Sequence, residues 1–434
     1  PRLHGREIRY ILEDCGARAL FTTRDQADRL AEHIGDLASL KLVVTVDDGP
    51  MTLAELKGGE ATEPPVVLPS PDEPAALLYT SGTTGAPKGA TLSHRNWLAQ
   101  ARNCMIELPP VVAGDVVLHV APLSHLSGYI APVYSVRGAA HLPVGRFDAQ
   151  QALELINSQS VTVVPVVPTI LNLLTLAAEE RGGTFPSLKT IVYAGSPIAP
   201  DRLVRASAVF GDVFTQFYGL SETPMPLTCL SARDHRFDAD QEPPVRLASA
   251  GRPSPMAEVA VVGADGELLE AGQVGEVVVR GDTTMLGYWN RPEATAEMID
   301  AEGWAHTGDL GRFDDEGYLY IVDRIKDMIV SGGFNIYPAE VESAIAALPA
   351  VQEVAVIGVP DDRWGEAVLA FVVTRNGHTV TEAEVIEACT ARLAGYKKPR
   401  EIKFLMELPK TGSGKLKKRD LRAEYWSEDR RVGG

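Results

Sequence analysis

The chain has 434 residues, 45% of them hydrophobic and 23% charged, with a formal net charge of -17 at pH 7. That length exceeds what one hydrophobic core serves, so two to four structural units are expected, and the acidic balance argues against general nucleic-acid binding. Cys15, Cys104, Cys229 and Cys389 lie far apart, without the spacing of a zinc site or a disulfide framework, and suit a reducing cytoplasm; no run approaches the ~18 apolar residues of a membrane-spanning helix.

Residue 1 is Pro and not Met, and the first element reads as a helix in mid-domain, so an N-terminal portion is expected to be missing, together with any targeting signal it carries. Ile8, Ile11, Leu12 and Cys15 fall at helical spacing over 6–15, and 19–22 and 41–46 have the length of short buried strands. Pro64, Pro65, Pro69, Pro71 and Pro74 mark a surface connection. A strand at 75–79 runs into a glycine-rich loop, and a helix follows over 94–104 with Ser93 as its N-cap. Strands at 116–121, 161–167, 190–194 and 213–218 alternate with helices at 149–157, 169–180 and 201–209. Such uniformly apolar strands, separated by helices, predict a parallel sheet covered on both faces. Gly-punctuated strands at 258–262, 275–280 and 318–322 predict a small antiparallel sheet or barrel. A helix opened by Pro338, strands at 353–359, 368–374 and 402–407, and a helix at 381–393 make a separate α+β unit.

The stretch Tyr79-Thr-Ser-Gly-Thr-Thr-Gly-Ala-Pro-Lys88 combines hydroxyls, a lysine and glycines whose backbone N–H groups can turn toward an anion. Those are the parts of a phosphate cradle. A Walker A loop needs G-x-x-x-x-G-K-[ST]. Here Gly82 and Gly85 are three apart and Gly89 follows Lys88, so this loop is of another kind.

Seven further segments follow it in order: Ala121-Pro-Leu-Ser-His-Leu-Ser-Gly128, Tyr193-Ala-Gly-Ser-Pro197, Tyr218-Gly-Leu-Ser-Glu-Thr223, Gly287-Tyr-Trp-Asn290, Trp304-Ala-His-Thr-Gly-Asp309, Asp323-Arg-Ile-Lys-Asp327 and Pro409-Lys-Thr-Gly-Ser-Gly-Lys415. Together with the loop they resemble the motifs of the adenylate-forming (AMP-binding) superfamily of acyl-CoA synthetases, peptide-synthetase adenylation domains and firefly luciferase. The likeness runs from Arg2 to about Glu424. It implies an α/β fold. A large N-terminal adenylating domain at 1–323 would combine parallel α/β subdomains with a small β-barrel-like subdomain at 246–323. A hinge at 324–327 and a small mobile α+β C-terminal domain at 328–434 would follow. It also implies a reaction in two halves, using ATP, Mg2+ and CoA. A carboxylate and ATP give an acyl-adenylate and pyrophosphate, and the CoA thiol then takes the acyl group, releasing AMP. Two alternatives stay open: a ligase that loads a carrier protein, and a non-catalytic nucleotide-binding paralogue. The assembly, a homodimer among the options, is left open as well.

Residue by residue, the resemblance assigns Thr80, Ser81, Gly82, Thr83, Thr84, Gly85 and Lys88 to the β- and γ-phosphates. Gly195, Ser196, Pro197, Gln216, Phe217, Tyr218 and Gly219 would wrap the adenine. Thr223 would touch phosphate, Glu222 would bind Mg2+, and Asp309 and Arg324 would bond the ribose hydroxyls. Lys415, Glu222 and His125 form the catalytic set. Lys415 would oppose the negative charge that builds as the carboxylate attacks the α-phosphate. His125, Gly195 and Gly219 would line the acyl pocket; Ser331, Gly332 and Gly333 would line the CoA tunnel, and Lys326 would be the hinge. Residues 124–130 carry no Asp or Glu, where amino-acid-activating relatives usually place an Asp, so an apolar acid, fatty or aromatic, is expected. Residues 397–422 hold ten Lys/Arg against three Asp/Glu, a basic cluster that the resemblance turns toward the CoA nucleotide.

Overall fold

A computed structural model describes residues 3–48, 51–57, 68–80, 86–238, 241–410 and 416–426. Contacts divide the chain into two compact units, one of residues 1–97 and 284–297, the other of residues 98–283 and 298–434.

In the first unit, helix Gly5–Asp14 starts at a capping box: the His4 ring accepts from the Arg6 N–H, and the Glu7 carboxylate accepts from the His4 N–H at 2.7 Å. Thr23 caps helix Arg24–Ile34 through its hydroxyl, which accepts from the Gln26 N–H. The apolar faces of the two helices meet through Leu12, Leu30 and Ile34, and Leu20 and Val43 of the parallel strands Ala19–Thr22 and Leu42–Thr45 pack onto them. Each such buried side chain contributes roughly 1.5–3 kcal/mol. An exposed i,i+4 ion pair such as Arg24–Asp28 adds only about 0.3–0.5 kcal/mol, so the apolar contacts hold this region together.

Strands Pro74–Thr80 and Lys88–Ser93 form an antiparallel hairpin, and Gly287–Tyr288 pairs with the outer side of Lys88–Ser93. The sequence reading runs directly from loop to helix, and the structure corrects it by placing this return strand between them. Gly89 through Ser93 are all buried, so the strand lacks the period-two alternation that would reveal it. The expected helix follows as His94–Glu107. Ser93 is its cap: the Ser93 hydroxyl accepts from the Asn96 N–H at 3.2 Å, and the Asn96 side chain accepts from the Ser93 N–H at 2.7 Å.

The second unit is built on a seven-stranded sheet in the order Arg252–Pro253, Thr228–Leu230, Phe214–Tyr218, Thr190–Ala194, Val163–Val166, Val116–His119, Ala140–Pro143. The last five strands are parallel, as the apolar runs predict; the first two extend the sheet antiparallel and were not foreseen. Pro165 has no N–H to donate, and Val163–Val166 meets Val116–His119 at the single register position Val117↔Val163. Helices Ala149–Ser158, Pro168–Arg181 and Pro200–Phe210 supply much of the core around Leu153, Leu171, Leu203 and Phe214. Helix Leu126–Ser135 and strand Ala140–Pro143 went unread, the helix because its uniformly apolar face blurs the amphipathic stripe.

A four-stranded antiparallel sheet follows: Glu258–Val262, Gly275–Arg280, Ala305–Phe313, Leu319–Arg324. Along Ala305–Phe313 burial alternates, which puts Ala305, Thr307, Asp309 and Gly311 on the inner face. The C-terminal residues form a five-stranded sheet from Ile329–Ser331, Phe334–Ile336, Val351–Asp361, Gly365–Thr374 and Glu401–Phe404. Helices Pro338–Ala346 and Glu382–Thr390 cover one face, and Thr381 with Glu384 forms a capping box at the start of the second. Among the described residues no helix is long and apolar enough to cross a membrane.

Candidate active site

In the first unit, Thr80 and Lys88 are register partners that close the hairpin, and the Lys88 ammonium lies 5.2 Å from the centre of the Tyr288 ring. Ser81, Gly82, Thr83, Thr84 and Gly85 lie outside the described residues, as does Lys415.

In the second unit, Gly195, Ser196 and Pro197 leave the C-terminal end of strand Thr190–Ala194, and Gln216 to Gly219 end the neighbouring parallel strand, with Tyr193 opposite Gln216. The carboxyl ends of adjacent parallel strands are where open α/β sheets bind ligands. The turns there demand glycine. Gly195 has φ +91°, and a Cβ on Gly219 would stand 2.7 Å from the Met225 backbone. Glu222 is 9% exposed, and Thr223 is fully buried with a hydroxyl that has no hydrogen-bond partner among the described residues. An orphaned buried hydroxyl costs about 1–3 kcal/mol, and a phosphate oxygen would satisfy it. Glu222 offers the hard oxygen that Mg2+ prefers. No group of three or more His, Cys, Asp or Glu side chains among the described residues could enclose a metal by itself. A Mg2+ held by Glu222 would therefore share its coordination with phosphates and waters, as it usually does.

Asp309 and Arg324 are cross-strand partners, with Arg324 Nε 3.1 Å from Asp309 Oδ1. The other carboxylate oxygen accepts from the Tyr218 hydroxyl at 2.7 Å, and burial together with that carboxylate holds the Tyr218 phenol well above its usual range. The inward register of Asp309 thus brings the expected adenine segment and the expected ribose acceptor together. A carboxylate accepts from several donors at once.

His125 is exposed at the N-cap of helix Leu126–Ser135, its Nδ1 2.8 Å from the Ser124 hydroxyl. The turn ahead of that helix requires Gly128, where a Cβ would collide with the Leu123 carbonyl oxygen at 1.9 Å. Gly332 and Gly333 are the central residues of a two-residue hairpin turn between Ser331 and Phe334, at φ +59° and +82°, the signature of a type I′ turn. Gly332 is pressed against Trp364, whereas a side chain on Gly333 would enter open space. Lys326 sits in the short turn Ile325–Asp327, and burial, then Arg324, holds its amine below the usual lysine range. Asp327 in the same turn pairs with Arg422 at 2.5 Å.

Sequence reasoning missed a buried support under Gln216. The Tyr193 hydroxyl is 3.1 Å from the Gln216 side-chain oxygen and 2.8 Å from His235 Nε2, and His235 Nδ1 is 2.8 Å from the Ser231 carbonyl. Burial lowers the His235 pKa to about 4. The neutral ring donates from Nδ1 to the carbonyl and accepts at Nε2, which fixes its tautomer. His235 belongs to no motif, and only the register of Tyr193 beside Gln216 could have pointed to the position.

With this geometry in place, comparison with known proteins gives a consistent result. Residues 1–289 match the AMP-binding enzyme family and residues 340–415 the AMP-binding enzyme C-terminal domain. The medium/long-chain-fatty-acid–CoA ligase FadD8 of Mycobacterium tuberculosis is 36% identical over 98% of this chain and 76% of its own length. Feruloyl-CoA synthase from an Amycolatopsis species is 37% identical over 98% of this chain and 82% of its own. Among solved structures, ATP-bound MatB from Rhodopseudomonas palustris superposes with a TM-score of 0.86 at 30% identity, covering 98% of this chain and 82% of that one.

Proposed function

The chain belongs to the AMP-binding enzyme family, and from that premise we propose how its residues share out the acid:CoA ligase reaction and which acids it takes. The enzyme is ATP-dependent and AMP-forming, working through an acyl-adenylate. Thr80, Lys88 and the loop they bracket hold the β- and γ-phosphates. The turns at Gly195–Pro197 and Gln216–Gly219 take the adenine, Asp309 with Arg324 the ribose, and Glu222 the Mg2+ that draws charge from the phosphates. The observation that carries this reading is the 2.7 Å bond from Tyr218 to Asp309, which ties the strand-end turn of the adenine site to the carboxylate assigned to the sugar.

Adenylation uses Lys415; thioester formation uses the Ser331–Gly333 turn, whose glycines admit a thin pantetheine chain. A rotation about Lys326 between domains 1–323 and 328–434 exchanges the two. The basic residues of 397–422 attract the CoA phosphates. All four cysteines are free, which suits a cytoplasmic enzyme.

The acid is apolar, fatty or aryl. Helix Leu126–Ser135, beside His125, buries Leu126, Tyr129, Ile130 and Val133 and contains no carboxylate to pair with a substrate ammonium. Pyrophosphate release across fatty, aryl and amino acids, with CoA or a phosphopantetheinylated carrier protein as acceptor, tests both points. The expected result is turnover of fatty or aryl acids with CoA. A preference for amino acids, or transfer to the carrier protein alone, would overturn the assignment.

A further inference from the structure

The phosphate loop hangs from a hairpin, and one side chain outside every motif fastens that hairpin. Asp14, the last residue of helix Gly5–Asp14, has a side chain only 11% exposed. Its Oδ2 accepts from the Tyr79 hydroxyl at 2.6 Å, and its Oδ1 accepts from Arg291 Nη2 at 3.0 Å. Its backbone carbonyl accepts from the Trp289 indole N–H at 3.1 Å. Tyr79 is the last residue but one of strand Pro74–Thr80, next to Thr80, from which the loop departs. Trp289 follows the strand Gly287–Tyr288 that flanks Lys88–Ser93, and its backbone N–H donates to the Gly89 carbonyl at 2.8 Å. Asp14 therefore joins both sides of the strand that carries Lys88. The Tyr79 ring lies over Gly89, where even a Cβ would come within 3.1 Å, so the ring has little room to move once its hydroxyl is held.

We propose that Asp14 is a positioning residue for the ATP phosphates. Through Tyr79 it fixes the strand end from which the phosphate loop departs, and through Trp289 and Arg291 it fixes the strand beside Lys88. Two hydrogen bonds to one largely buried carboxylate are strong and directional, and holding Thr80 and Lys88 in place before the anion arrives lowers the cost of binding it. The inference rests on the assignment of the loop and Lys88 to phosphate.

Steady-state kinetics of the full chain separate the two claims. Asp14→Ala is expected to raise KM for ATP about tenfold, with KM for the acid changed by less than about twofold. Tyr79→Phe deletes only the hydroxyl and should raise KM for ATP about threefold. The double variant should be no worse than Asp14→Ala, because residues acting through one contact do not add. Lys88→Ala is the control. If it leaves KM for ATP unchanged, the phosphate assignment falls and the inference with it. If Lys88→Ala raises KM while Asp14→Ala and Tyr79→Phe lower only the melting temperature, Asp14 is a structural staple and the inference alone is overturned. Strict additivity in the double variant would also overturn it. Should Asp14→Ala fail to fold, Tyr79→Phe decides by the same KM criterion.

Discussion

Lys415→Ala is expected to slow acyl-adenylate formation by about two to three orders of magnitude and to leave thioester formation from supplied acyl-adenylate close to wild type. Attack of a carboxylate on the α-phosphate brings one more anion to a site that already holds three phosphates. A fixed cation aimed at that point stabilises the transition state more than the ground state, so its loss appears in kcat. The second half-reaction expels AMP from a carbonyl carbon and needs no such cation. Single-turnover measurements of the two half-reactions provide the check. Equal slowing of both would mean that Lys415 supports the fold or the domain rotation, and that the charge argument is wrong.

The second large effect is predicted at Asp309. Asp309→Ala removes the acceptor for the Tyr218 hydroxyl and for Arg324, and deletes the group assigned to the ribose. Two charge-assisted hydrogen bonds at about 1.5–3 kcal/mol each would raise KM for ATP by roughly a hundredfold or more. The same change leaves the buried Tyr218 hydroxyl without its partner, costing stability on the order of 1–3 kcal/mol. Asp309→Asn keeps the shape and an acceptor for Tyr218, so it should recover most of the stability and little of the nucleotide affinity. An Asp309→Asn protein with wild-type KM for ATP would remove Asp309 from the ribose site.

Much of this architecture was legible from apolar runs and glycine punctuation. Thr190–Ala194, Glu258–Val262 and Gly275–Arg280 have the predicted bounds, and the helices expected at 149–157, 169–180 and 201–209 begin within a residue of those starts. What escaped did so for physical reasons. Lys88–Ser93 is buried on both faces and offers no alternation. The strand Ala305–Phe313 is half polar, and its residues read as a motif and not as an element. Yet its period-two burial is what turns Asp309 inward. The motifs named the candidate residues; the supports beneath them are separated too widely for any local pattern. Asp14 meets Tyr79 across 65 positions and Arg291 across 277, and Tyr193 meets His235 across 42. Only the fold makes those pairs.

On the adenylate route a carboxylate oxygen becomes bonded to the α-phosphorus before the acyl group reaches CoA. A carboxylic acid labelled with heavy oxygen in both carboxyl positions tests it directly. The carboxylate oxygen attacks the α-phosphorus as the bond to pyrophosphate breaks; the CoA thiolate then attacks the carbonyl carbon, and the carbon–oxygen bond breaks. Mass spectrometry should find a single heavy oxygen in the AMP, the other in the acyl-CoA, and none in the pyrophosphate. Label in pyrophosphate or inorganic phosphate, or ADP as the nucleotide product, would contradict the adenylate route.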